Sequence, residues 1–63
     1  MKRYLISYKK NDNIVEMIAD NCIHENGHYY FENVKTRFNN VPVEVLKDTY
    51  IDKVEEIEAK AVI

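Results

Sequence analysis

Hydrophobic and polar residues alternate in short runs along most of the chain. Tyr4, Ile6 and Tyr8 alternate with Leu5, Ser7 and Lys9, the two-residue period of a strand that buries one face. Lys10-Asn11-Asp12-Asn13 is a polar turn, and Ile14-Val15-Glu16-Met17-Ile18-Ala19 opens a long second strand. The strongest local signal is Glu25-Asn26-Gly27-His28, because Asn and Gly accept the two positive φ angles of a type I′ turn, whose twist suits a tight hairpin. With Asn26-Gly27 as the loop, Glu25 pairs with His28, His24 with Tyr29, Ile23 with Tyr30 and Cys22 with Phe31, and paired residues share a face. His28 to Arg37 then reads as a third strand and Asn39-Asn40 as another tight turn. Val41, Val43 and Val45 alternate as a fourth strand, in which Pro42 favours an edge or a strand start.

The C-terminal stretch carries two patterns. Ile51, Val54, Ile57 and Ala61 recur at helical spacing after a cap at Asp48 or Thr49. Ile57, Ala59, Ala61 and Ile63 alternate at strand period after a short helical turn around Leu46 to Asp52. The strand is preferred, because a four-strand meander leaves two open edges that a fifth strand could pair. The expected fold is therefore mainly β: a small five-stranded antiparallel meander, or an SH3-like or Sm-like half-open barrel, with a short helical turn before the last strand. The alternative is α+β, a four-stranded sheet covered by a C-terminal helix.

The hairpin register makes a second prediction. Ile23, Tyr30, Ala19, Val34 and Met17 fall on one face, and Cys22, Phe31, His24, Tyr29 and Ile18 on the other, whereas a one-sided sheet shows clean alternation. Either one face packs the core and the other meets a partner, a subunit or a ligand, or a wrapped barrel or a bulge near Asp20-Asn21 buries both. On the first alternative the contacts are His24, Tyr29 and Phe31 on one side, or Tyr30 with Ile23 on the other, since Tyr is enriched in interface hot spots.

Length and composition narrow the class. At 63 residues the chain is a single small β-rich domain, 1–63, whose thin core calls for a staple. The single cysteine, Cys22, cannot form an internal disulfide, so the staple is either self-association, on which the protein reads as a homo-oligomer, or unusually efficient packing of its five Tyr, Phe31 and Phe38. No apolar run is long enough to span a membrane or act as a signal peptide, so a soluble cytoplasmic protein is expected, in a host cell if phage-encoded.

Formal net charge is −2, which removes the overall attraction that drives non-specific nucleic-acid binding. Its distribution is uneven. Lys2, Arg3, Lys9 and Lys10 have no acid among them, while Glu44, Asp48, Asp52, Glu55, Glu56 and Glu58 outnumber Lys47 and Lys53. These are either solvated faces that meet as surface ion pairs, or an acidic patch for a basic partner and a basic edge for phosphate.

Catalytic and metal chemistry find little support. Cys22, His24 and His28 resemble a metal cluster in linear order, but the hairpin register puts His28 on the opposite face from the other two, and a structural zinc normally wants four converging ligands. No metal or cofactor is expected. A Cys22–His24 dyad is geometrically open, yet no orienting group or oxyanion nest accompanies it. Glu55 and Glu56 are adjacent and point to opposite sides of a strand. A protein without enzymatic activity is expected.

Gly27-His28-Tyr29-Tyr30-Phe31-Glu32, Asn40-Val41-Pro42-Val43 and Val54-Glu55-Glu56-Ile57 resemble small β-rich open reading frames common in phages of low-GC Gram-positive bacteria, over roughly the second half of the chain. The resemblance implies a phage or mobile-element origin and a role such as inhibition of a host factor or defence system. Three functions follow. The first is a binding protein that blocks a host protein through a Tyr-rich face (His24, Tyr29, Tyr30, Phe31) or an acidic edge (Asp52, Glu55, Glu56, Glu58). The second is a nucleic-acid module in which Lys2, Arg3, Lys9, Lys10, Lys35 and Arg37 meet phosphate and Tyr8, Tyr29 and Tyr30 stack on bases. The third is an oligomeric small-molecule or nucleotide sponge.

Overall fold

The computed structural model of the chain describes residues 1–57. They form one curled antiparallel sheet of six strands: β1 (Lys2–Tyr8), β2 (Ile14–Ala19), β3 (Asn21–Glu25), β4 (His28–Lys35), β5 (Asn40–Lys47) and β6 (Ile51–Ile57). One 3₁₀ turn, Asp48–Tyr50, joins β5 to β6. β1 pairs with both β2 and β6, and β4 pairs with β3 and β5 and touches β2 through Ile18↔Lys35. Among the described residues β3 and β5 each pair with β4 alone and β6 with β1 alone, so the sheet curls without closing. This is the expected half-open barrel with a short helical turn before its last strand.

The Asn26-Gly27 hairpin has the expected register from Glu25↔His28 to Cys22↔Phe31. Both loop residues take positive φ, 52° and 75°, as a type I′ turn requires. Three expectations are corrected. The long second strand is broken at Asp20 into β2 and β3, which makes six strands instead of five. The next turn is centred on Arg37-Phe38 instead of Asn39-Asn40: Thr36 N–H donates to the Asn39 carbonyl at 2.9 Å, and Thr36 Oγ1 accepts from the N–H groups of Phe38 and Asn39. A side-chain hydroxyl thus does the work that the Asn pair was expected to do. The last strand starts earlier, at Ile51, so residues 51–57 are not helical. The expected alternation through Ala59, Ala61 and Ile63, and Glu58 with it, lies outside the described residues.

The break at Asp20 is one end of a fold line that crosses three strands. In β4, Asn33 takes the left-handed φ of 53°, and its amide donates to Asp20 Oδ2 at 2.8 Å, while Asp20 N–H donates to the Glu32 carbonyl. In β5, Pro42 stands opposite Asn33, between the pairs Glu32↔Val43 and Val34↔Val41. Pairing keeps step on both sides, yet the core-facing set changes parity: Phe31 and Val34 are both buried, three residues apart. The face switch anticipated near Asp20-Asn21 is therefore a kink in constant register, with no inserted residue.

That kink assembles the core. Tyr4, Ile6, Ala19, Phe31, Val34 and Ile51 are buried, and Tyr8, Met17, Cys22, Tyr29, Val41, Leu46 and Val54 pack around them. Phe31 is fully buried and meets Tyr4 edge to face, with ring centroids 5.5 Å apart, the arrangement that suits aromatic quadrupoles. Burying such a ring contributes roughly 1.5–3 kcal/mol, a large share for a chain this short.

Candidate protein-binding face

Because Phe31, Cys22 and Tyr29 point inward beside the Asn26-Gly27 turn, the outer face of β3–β4–β5 carries the alternate residues. Register sorts them into three rows: Glu25–His28–Lys47, Ile23–Tyr30–Val45 and Asn21–Glu32–Val43. The middle row is wholly apolar in character, with Tyr30 at its centre. Ile23, Val43 and Val45 are 37, 48 and 46% exposed. Polar residues flank the row on both sides: Glu25, His28 and Lys47 above, Asn21 and Glu32 below. His28 is set by its Nδ1–H, which donates to the Asn26 carbonyl at 2.8 Å, and its ring lies 6.0 Å from that of Tyr30. An apolar centre with a Tyr and a mixed-charge rim is the composition of a protein interface.

The predicted contact residues separate. Tyr30 lies on this face. Phe31 does not, and its assignment as a partner contact is corrected: at 0% exposure it belongs to the core. Tyr29 packs against the core, and its other side stacks on His24 at 4.0 Å, nearly parallel. His24 Nε2 is 3.0 Å from Asp48 Oδ2, and Asp48 N–H donates to the Gly27 carbonyl. His24 and Tyr29 thus clamp the hairpin tip to the start of the 3₁₀ turn.

Among the described residues, the acids Asp52, Glu55 and Glu56 do not gather into one edge. Glu55 is on the outer face of β6 opposite Leu5 and 3.4 Å from Lys53. Glu56 is on the other side, opposite Tyr4 and 3.9 Å from Lys2. Asp52 sits at the far end, where the β1–β6 register shifts. Arg3 pairs with Glu16 at 3.2 Å. Several of the basic and acidic residues therefore meet each other as surface ion pairs.

Cys22 is the one thiol, half-buried on the inner face. Burial, and then the Glu56 carboxylate nearby, pushes its pKa above the ordinary thiol value, the reverse of what activates a nucleophile. His24 is turned to Asp48 through Nε2 at 3.0 Å and stacks on Tyr29. Tyr4 is raised as well, by burial first and then by Glu56 and Cys22.

Two features escaped the sequence reasoning. Val43 and Val45 extend the Tyr30 face, a consequence legible only once the Arg37-Phe38 turn sets the β4–β5 register. Phe38 is 90% exposed at that turn, next in sequence to Arg37, which lines a cleft of about 540 Å³ with Met17, Val34, Val41 and Lys35 and with the acids Glu16 and Glu44. Compared with known proteins, the chain matches no family model, no curated protein and no solved structure.

Proposed function

We propose that this protein is a non-enzymatic binding module that holds a protein partner on the outer face of β3–β4–β5, and that the partner is a host protein blocked by a phage- or mobile-element-encoded chain. The row Ile23–Tyr30–Val45 with its polar rim carries the proposal. The Glu25, Glu32, His28 and Lys47 rim suits a partner surface of mixed charge, more than the uniform phosphate of a nucleic acid. The raised Cys22 pKa, the reverse of an activated thiol, supports a role without catalysis.

The test is affinity capture from host lysate after nuclease treatment, with the wild-type chain beside Tyr30→Lys and a Glu55→Lys/Glu56→Lys double variant. A stoichiometric protein held by the wild type and the double variant but lost with Tyr30→Lys supports the face. Loss with the Glu variants alone would move the site to β6, and capture indifferent to all three would reject both surfaces. A second reading rests on Phe38 beside Lys35 and Arg37: a ring for base stacking next to two cations. Its signature is single-stranded oligonucleotide binding that weakens steeply with salt and is lost in Phe38→Ala.

A further inference from the structure

We propose that a second copy of this chain pairs with the free edge of β5, antiparallel and about a two-fold axis at Val45. Among the described residues β5 hydrogen-bonds on one side only, and unpaired strand edges template pairing with another chain. Its straight stretch runs from the fold line at Pro42 to the 3₁₀ turn at Asp48, that is, Val43 to Lys47. The midpoint of that stretch is Val45.

Charge selects the same register. Two-fold pairing that keeps outer residues on the outer face can centre on Glu44, Val45 or Leu46. Centring on Glu44 sets that carboxylate against its own copy, and centring on Leu46 sets Glu44 against Asp48; like charges directly opposite destabilise a sheet. Centring on Val45 sets Val45 against Val45, Val43 against Lys47 and Glu44 against Leu46, with no like pair. It also joins the two apolar rows end to end, Ile23–Tyr30–Val45 running into the same row of the second copy. The other two edges are less suited: β3, which also pairs on one side only, is five residues long against eight for β5, and β6 is interrupted by the register shift at Asp52 and the charged Lys53 and Glu55. Short strands, irregularities and charges all protect edges.

An isologous contact of this kind closes at two copies, and it supplies the staple that a short chain with one cysteine lacks. Its contacts lie along the β5 edge and share only Val45 with the apolar row of the outer face, so it can fail while the proposed function holds.

Sedimentation of the full chain tests the stoichiometry, and thiol cross-linking tests the register. Opposed residues of an antiparallel pair have Cα atoms about 4.5 or 5.5 Å apart, within the span of a disulfide. In a Cys22→Ala background, Val45→Cys should oxidise to a covalent dimer, while Val43→Cys, placed opposite Lys47, should stay monomeric. Val45→Lys in the natural chain should weaken self-association at least about tenfold while circular dichroism keeps its strand signal, and Tyr30→Lys should leave the dimer intact. A monomer at concentrations up to about 1 mM, particles larger than a dimer, or equal cross-linking at positions 43 and 45 would overturn the proposal.

Discussion

The two halves of the sheet solve the same burial problem and finish with different outer surfaces. On β2–β1–β6 the outer rows mix characters: Glu16–Leu5–Glu55, Ile18–Arg3–Ile57 and Ile14–Ser7–Lys53. No row is wholly apolar, Leu5, Ile18 and Ile57 are half-buried among charged or polar neighbours, and Arg3–Glu16 and Lys53–Glu55 close ion pairs over them. On β3–β4–β5 the residues are sorted, apolar in the middle row and polar mainly at the rims. Both halves draw on one core, so neither outer surface is needed to complete it. The mixed half is a solvated exterior, whereas the one sorted apolar row is the surface on which we propose that a partner sits.

The comparison can be broken most forcefully at the core that the halves share. Phe31→Ala removes a fully buried ring and should cost about 3–5 kcal/mol. That is close to the whole stability expected of a domain this size, and loss of the strand signal in circular dichroism and of a cooperative urea transition would report it.

A sharper cut separates the outer faces. Tyr30→Lys should reduce partner binding by about 2 kcal/mol, roughly 30-fold, with stability changed by about 1 kcal/mol or less. Leu5→Lys, the matching change on the other half, should leave binding within a few-fold. Titration calorimetry against the captured partner, beside urea melts of each variant, measures both. Equal losses of binding from the two variants would erase the distinction between the halves.

The fold line is the next target. Asn33 holds a φ of 53°, where a side chain other than Asn, Asp or Gly costs about 1–2 kcal/mol, and it also supplies the bond to Asp20. Asn33→Ala should therefore destabilise by about 1–2 kcal/mol or slightly more, and Asn33→Gly by less, because glycine keeps the backbone and loses only the bond. A reversed order in denaturant melts would show that the angle between the halves does not depend on this residue.

The smallest effect is on pH dependence. Folding raises the pKa of the Cys22 thiol and the Tyr4 phenol, chiefly by burial, so the folded state holds their protons more tightly than the unfolded state. The stability this contributes is complete below the ordinary thiol value of 9.0 and is lost as pH rises through the raised folded values. Melting temperature should fall as the solution is made alkaline, and Cys22→Ala should flatten the first part of that fall. An identical alkaline profile in the variant would exclude the thiol as a contributor.

Local chemistry made much of the fold legible. Asn26-Gly27 specified its turn and, through it, the pairing of Cys22 with Phe31 and of Ile23 with Tyr30, because a two-residue loop leaves a hairpin only one register. The period-two runs around Tyr4–Tyr8 and Ile14–Ala19 likewise showed which residues share a face. Alternation alone could not show which face points inward beside the turn. That depends on Asn33 and Asp20, which meet across the sheet from positions 13 residues apart and reverse the parity of three strands together. The same long-range geometry sent Phe31 to the core and left Tyr30 outside with Val45, whereas the split of Glu55 from Glu56 followed from strand alternation alone. Strand period is a property of neighbouring residues and can be read along the chain, whereas inside and outside are decided by what lies across the sheet.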